Sequence, residues 1–283
     1  MNNQEGGTVP IVPFHPYQRD SRAARMVNYK IKPKATPTHA SGEVLLICAS
    51  PEIEAQLVAV AGTGASKREL NESAALKYTA GFHFPDGVPQ CVVSLLEVLQ
   101  AHLTLNARAG VNVAMSLDWH KKDDGSGELV NTEAGRWVQY TKYAPYPKGS
   151  GSRKAWREMV EALEQFIRHH PIYAHATTIT APPGHLADGN SWGERLAHAV
   201  AVAVGKPYVA MTAKGPRAEL KSGETGQIDL TGEFAVTQRL HGRVLIIDDV
   251  YHTGATMDAA SMACREAGAT EVLVLTTTRT LKR

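Results

Sequence analysis

Arg243-Val244-Leu245-Ile246-Ile247-Asp248-Asp249-Val250-Tyr251-His252-Thr253-Gly254-Ala255-Thr256 joins an aliphatic run, two adjacent acids and a short loop of hydroxyl and glycine residues. Four consecutive aliphatic residues predict a strand covered on both faces. Asp248 and Asp249 follow where that strand emerges, at the edge where open α/β sheets bind ligands. Thr253, Gly254, Ala255 and Thr256 then lead into a helix expected over Met257–Ala267. The first N–H groups of a helix lack intrahelical partners, and its dipole favours an anion there. Two acids a few residues before such a loop suit a sugar phosphate, with hydroxyls or Mg²⁺ at the acids and phosphate at the loop.

Working outward, the regular part of the chain begins near residue 149. A helix is expected over Ala155–Arg168, where Met159, Val160, Leu163, Phe166 and Ile167 share one face. A strand at Ala176–Thr180, a loop at Pro182-Pro183-Gly184-His185 and a helix over Trp192–Val204 follow. Next come a short strand at Tyr208–Thr212, a polar excursion over Lys214–Thr231, the acid-pair strand and a last strand at Glu271–Thr277. Strands alternating with helices predict an α/β fold with a mostly parallel sheet flanked by helices.

Upstream, residues 41–148 read as an N-terminal α/β extension. It has a strand at Glu43–Ala49, a helix from Pro51, a helical pattern over Cys91–Leu105 and an alternating strand over Val111–Leu117. Asp118-Trp119-His120 stands at a strand end and reads as a capped loop. Lys121–Gly127 reads as a solvated turn. Tyr140, Lys142, Tyr143 and Tyr146 form an aromatic, basic segment, and Gly149-Ser150-Gly151-Ser152 reads as a flexible break. Residues 1–40, with prolines and basic residues spread through them, read as an extended arm. Three units are therefore expected: 1–40, 41–148 and 149–283.

The 283 residues carry a formal charge of only +2, with 43% hydrophobic and 20% charged residues, which describes an ordinary soluble protein. Nucleic-acid binding rests only on the basic residues from Arg19 to Lys34 and on the Tyr140–Lys148 segment, and is the weakest of the partner readings. Cys48, Cys91 and Cys264 form no paired motif, which fits a reducing cytoplasm. No apolar run is long enough to span a membrane.

The order aliphatic strand, Asp248-Asp249, the three positions Val250-Tyr251-His252, then Thr253-Gly254-Ala255-Thr256 resembles the phosphoribosyl-pyrophosphate (PRPP) motif of type I phosphoribosyltransferases. Within that family the C-terminal half resembles the ComF-like, amidophosphoribosyltransferase-like branch. Three further segments carry this resemblance: Thr180–His185, then Gly189-Asn190-Ser191 with Glu194 to Ala197, and Thr231–Val236. The resemblance implies a transferase that binds PRPP with Mg²⁺ and passes ribose 5-phosphate to a nitrogen acceptor, releasing pyrophosphate. It implies that Asp248 and Asp249 hold the ribose hydroxyls, directly or through the metal, and that Thr253, Gly254, Ala255 and Thr256 grip the 5′-phosphate. Pro183, Gly184 and His185 fall at the pyrophosphate segment. Lys214, Arg217 and Lys221 fall on a loop expected to close over the substrate.

Two departures stand out. The chain lacks the cysteine zinc element with which ComF-type proteins begin. His252 replaces the branch's frequent Thr, and an imidazole of unperturbed pKa about 6.5 is suited to moving a proton at the acceptor. A hood over the base must come from residues 1–150 or from a partner chain. The large unmatched N-terminal half keeps a second reading open: a nucleotide or PRPP sensor, or an interaction module of a multi-protein assembly in phage defence or DNA uptake. A homo-oligomer is compatible with either reading.

Overall fold

The computed structural model describes residues 23–33, 42–106, 110–143, 149–217 and 229–281. In chain order the first elements are β1 (Ala23–Ala24), β2 (Asn28–Pro33), β3 (Glu43–Cys48), α1 (Pro51–Ala61), β4 (Ser66–Arg68), α2 (Glu72–Ala75) and β5 (Ala80–Phe84). Then come α3 (Gln90–Ala101), β6 (Leu103–Leu105), β7 (Val113–Trp119), β8 (Lys121–Asp123), β9 (Leu129–Asn131) and α4 (Glu133–Val138). The remainder is α5 (Ser150–His169), α6 (Pro171–Ala174), β10 (Thr178–Thr180), α7 (Trp192–Val204), β11 (Thr212–Ala213), β12 (Phe234–Ala235), β13 (Arg243–Tyr251), α8 (Ala255–Glu266) and β14 (Glu271–Arg279).

The central sheet has six strands in the order β1-β6-β7-β14-β13-β10. β7, β14, β13 and β10 run parallel, and β6 and β1 close one side antiparallel. The fold is therefore α/β with a mostly parallel central sheet between helices. Alternate residues of β13 and β14 serve opposite layers, as the two-residue period of a strand requires. Leu245, Ile247, Leu273 and Leu275 pack with α5 and α7 through Met159, Leu163, Phe166, Leu196 and Val200. Val244, Ile246, Val272 and Val274 pack with α8 through Met257, Ala260, Ala263 and Cys264. Burial of each such side chain contributes about 1.5–3 kcal/mol.

A second sheet, ordered β2-β3-β5-β4, is antiparallel throughout. Leu45, Ile47, Phe82 and Phe84 of this sheet share one buried cluster with α1, α3 and α5. The N-terminal residues thus build part of the same core. β6 and β7 also lie in the central sheet, so the expected boundary at 149 runs between strands that are hydrogen-bonded to one another.

Several local expectations change. Residues 28–33 of the expected arm are paired strand, because Tyr29 and Ile31 pack against the core. The rest of the arm lies outside the described residues, apart from 23–27. Gly149–Ser152 does not break the chain: α5 starts at Ser150, and its apolar face overrides the weak helix propensity of this first turn. Tyr208 makes only an isolated bridge to Ile179, and the strand forms instead at Thr212–Ala213. Helix α3 ends at Ala101, and Leu103–Leu105 turns into strand.

A buried polar relay crosses the core. His170, 0% exposed, accepts the Ile172 N–H at Nδ1, so its Nε2–H faces Gln56 Oε1 at 2.9 Å. Gln56 Nε2 in turn donates to Thr104 Oγ1 at 3.2 Å. Burial lowers the His170 pKa to about 3, helped by nearby His102, so this imidazole is neutral.

Candidate functional site

The site lies where the parallel strands β7, β14, β13 and β10 end. Asp248 and Asp249 do not follow the strand, as the sequence suggested, but lie within β13 near this edge, since pairing with β14 carries the strand on to Tyr251. The Asp249 N–H donates to Asp248 Oδ1 at 2.8 Å. Asp248 lies against the first turn of α7. A Cβ on Gly193 would stand 2.7 Å from Asp248 Oδ1, so only glycine leaves room for the carboxylate there. Asp249 is buried, at 6% exposure, and is ion-paired with Lys142. That lysine belongs to a wide turn, Gln139–Tyr143, that continues α4.

The charges divide unequally. Burial, then the Asp249 charge, push the Asp248 carboxyl well above the ordinary carboxylate range. Burial acts the same way on Asp249, but the Lys142 ammonium and hydrogen bonds from Asp248 and Lys142 outweigh it and hold that carboxyl below the range. Burial likewise opposes the charge on Lys142, and Asp249 overcomes it, raising the lysine pKa. Asp249 therefore holds its negative charge more firmly than Asp248 does, facing one built-in positive charge.

Downstream, Gly254 takes φ +88° and opens α8. Its left-handed backbone is one that a β-carbon disfavours, and it turns the chain into α8, whose first N–H groups lack intrahelical partners. The Ala255 N–H reaches Thr253 Oγ1 at only 3.4 Å, a weak bond that an anion would readily replace. His252 is exposed, and its Nδ1 lies 3.1 Å from Thr280 Oγ1. Partial desolvation lowers its pKa, opposed by Asp249 and reinforced by Lys142, Arg279 and His120.

Beneath this loop is a residue that sequence reading missed. Arg279, 2% exposed, donates through Nη1 to the carbonyls of Tyr251, His252 and Thr280 at 3.1, 2.6 and 2.7 Å. It fixes the loop from below and adds positive charge near the expected phosphate position. Its only sequence signal is a charged residue ending a strand that is otherwise buried. His120, at the end of β7, also joins this edge, with Nδ1 3.2 Å from Thr278 Oγ1. The hydroxyls of Thr180, Thr276 and Thr277 are buried without hydrogen-bond partners at the same ends of β10 and β14. Such hydroxyls cost about 1–3 kcal/mol each when left unsatisfied.

The Pro183-Gly184-His185 loop follows β10. Gly184 presses on Ser191 so closely that a Cβ would lie 2.4 Å from Ser191 Cβ. Ser191 and Glu194 form a reciprocal cap at the start of α7, and Glu194 also accepts the Gly184 N–H at 3.3 Å. Arg217 is not held out toward solvent. Its Nη2 donates to Pro183 O at 2.7 Å and Gly184 O at 3.3 Å, and its guanidinium lies 4.6 Å from the Phe234 ring centroid. Lys214 is exposed beside Gly232, and Lys221 lies outside the described residues.

The expectation that Asp248 and Asp249 hold Mg²⁺ meets a competing cation at Asp249. Among the described residues no group of three or more His, Cys, Asp or Glu side chains is placed to hold a metal ion. The donor set present does not fit a resident divalent cation. No helix among the described residues is long and apolar enough to cross a membrane.

No family model matches the chain, and no curated protein matches it. Among solved structures, it is similar to purine phosphoribosyltransferase from Pyrococcus horikoshii, at 21% identity, over 46% of this chain and 85% of that one, with a TM-score of 0.30. It is similar to orotate phosphoribosyltransferase from Aeropyrum pernix at 18% identity, over 55% of this chain and 72% of that one, with a TM-score of 0.31. Adenine phosphoribosyltransferase from Leishmania tarentolae gives 14% identity, 56% and 94% coverage and a TM-score of 0.35.

Proposed function

We propose that this chain binds PRPP and transfers its ribose 5-phosphate to a nitrogen acceptor, releasing pyrophosphate. The observation that carries the reading is the acid pair near the end of the β13 ladder, two residues before the strand ends, followed within six residues by a left-handed glycine that opens α8. Vicinal ribose hydroxyls would donate to Asp248 and Asp249, and the 5′-phosphate would take the N–H groups of Ala255 and Thr256. The C1–O bond to pyrophosphate breaks as the acceptor nitrogen forms its bond to C1. The negative charge held at the acid pair stabilises the positive charge that grows on the ribose. His252, tied through Nδ1 to Thr280, has Nε2 left to take the proton the acceptor sheds.

The Pro183–His185 loop would meet the pyrophosphate, with the exposed Lys214 as the nearby cation. Mg²⁺ would enter as the counter-ion of the pyrophosphate, part of the substrate. The acceptor side would be formed by the 133–143 segment of the N-terminal half, which brings the exposed Tyr140 and Tyr143 along with Lys142. Arg217 favours a second reading, a PRPP or nucleotide sensor without transfer. The cation expected at the leaving group spends its Nη2 donor on the carbonyls of Pro183 and Gly184. Pyrophosphate release from PRPP, measured with the full chain and a panel of purine and pyrimidine bases, separates the two. Base-dependent release supports transfer, and PRPP binding without release supports the sensor. No PRPP binding refutes both.

A further inference from the structure

The cation at the acid pair belongs to the chain itself, and its position is built. Helix α4 sits on the end of β7: the Thr132 N–H donates to His120 O at 3.2 Å, and Gly135 approaches so closely that a Cβ would lie 2.0 Å from the same oxygen. Past α4, Thr141 Oγ1 donates to Trp137 O at 2.7 Å and Asn131 Nδ2 to Gln139 Oε1 at 2.6 Å, which fixes the turn. Lys142 leaves this turn with its ammonium on Asp249, 6.0 Å from the Trp192 ring centroid and 5.6 Å from that of Tyr143.

A divalent cation of the Mg²⁺ type requires several oxygen ligands and binds reluctantly where few are offered. Two carboxylates offer few, and one is already in contact with a positive charge that an incoming ion must displace or tolerate. We propose that Lys142 is the positioning residue of the acid pair. It stands where a divalent cation would stand at Asp249, so that Asp248 and Asp249 take the vicinal hydroxyls of a sugar phosphate directly and hold no metal of their own. The proposal rests on the acid pair being the ligand centre. It goes beyond that reading by naming what neutralises the centre and what the centre excludes.

The test uses Mn²⁺ alone, without sugar phosphate, so its outcome is separate from whether PRPP binds. Free Mn²⁺ is followed by electron paramagnetic resonance as the full chain is added, for the parent, Asp249→Asn, Lys142→Met and Lys142→Met with Asp249→Asn. The parent should bind no more Mn²⁺ than Asp249→Asn. Lys142→Met should gain a site at least tenfold tighter than the parent's background, and the double variant should lose it. A purely structural lysine would produce no such gain. Lys142→Gln, which keeps a hydrogen-bond donor without the charge, should behave as Lys142→Met does and serves if the latter fails to fold. A parent site for Mn²⁺ that Asp249→Asn removes would overturn the proposal. So would folded Lys142→Met and Lys142→Gln that bind no more Mn²⁺ than the parent.

Discussion

Gly193→Ala should damage the site while barely changing the fold. Gly193 is the second residue of α7, and alanine inside a helix is worth about 1 kcal/mol over glycine. The added Cβ would stand 2.7 Å from Asp248 Oδ1, whereas ordinary contact begins at 3.4 Å. The carboxylate must retreat by roughly 0.7 Å, and crowding of this kind costs about 1–3 kcal/mol. The two terms nearly offset, so net destabilisation should stay within about 2 kcal/mol. Binding has no such compensation. A hydrogen bond spoiled at a buried polar group costs about 1–3 kcal/mol, or roughly a fivefold to hundredfold loss of affinity. Thermal melting and calorimetric titration with ribose 5-phosphate measure the two effects separately. Parent-like affinity in a folded variant would refute the contact between Asp248 and the ligand. Loss of the fold would refute the claim that helix propensity offsets the crowding.

Two further outcomes follow from the geometry. Gly254→Val places a β-branched residue at φ +88°, which should cost about 1–3 kcal/mol of stability and abolish ribose 5-phosphate binding, as melting and titration would report. Neutral His170, with its pKa lowered to about 3, gives stability that is complete above about pH 6.5. Below that the unfolded chain takes the proton first, so urea denaturation should show stability falling by up to about 1.4 kcal/mol per pH unit toward pH 3. A flat profile between pH 6.5 and pH 5 would contradict the buried neutral imidazole.

What the sequence made legible was local. Trp192–Val204 is a helix with the expected bounds because Ser191 and Glu194 cap one end and Gly205, at φ +70°, ends the other. The acid-pair strand was readable because its aliphatic run leaves few alternatives. Strand β5, Ala80–Phe84, was not, since Ala-Gly at its start hides a short buried strand. Lys142 and Arg279 were not legible as site residues for a different reason, and His120, weighed as a possible site residue, read more readily as part of a capped loop. They come to this edge only because β7 lies beside β14 and β14 beside β13, a strand order that no local pattern encodes. Lys142 and Asp249 are 107 residues apart, and their contact depends on α4 folding back onto the end of β7.

The central claim is that Asp248 and Asp249 form the ligand centre for a phosphoribosyl compound. Isothermal titration with PRPP and Mg²⁺ tests it most directly, on the parent and on Asp248→Asn with Asp249→Asn, each checked for native structure by circular dichroism. A single site is expected in the parent and at least a tenfold weaker one, or none, in the folded double variant. Equal affinity in the two proteins, or no PRPP binding by the parent, would contradict it.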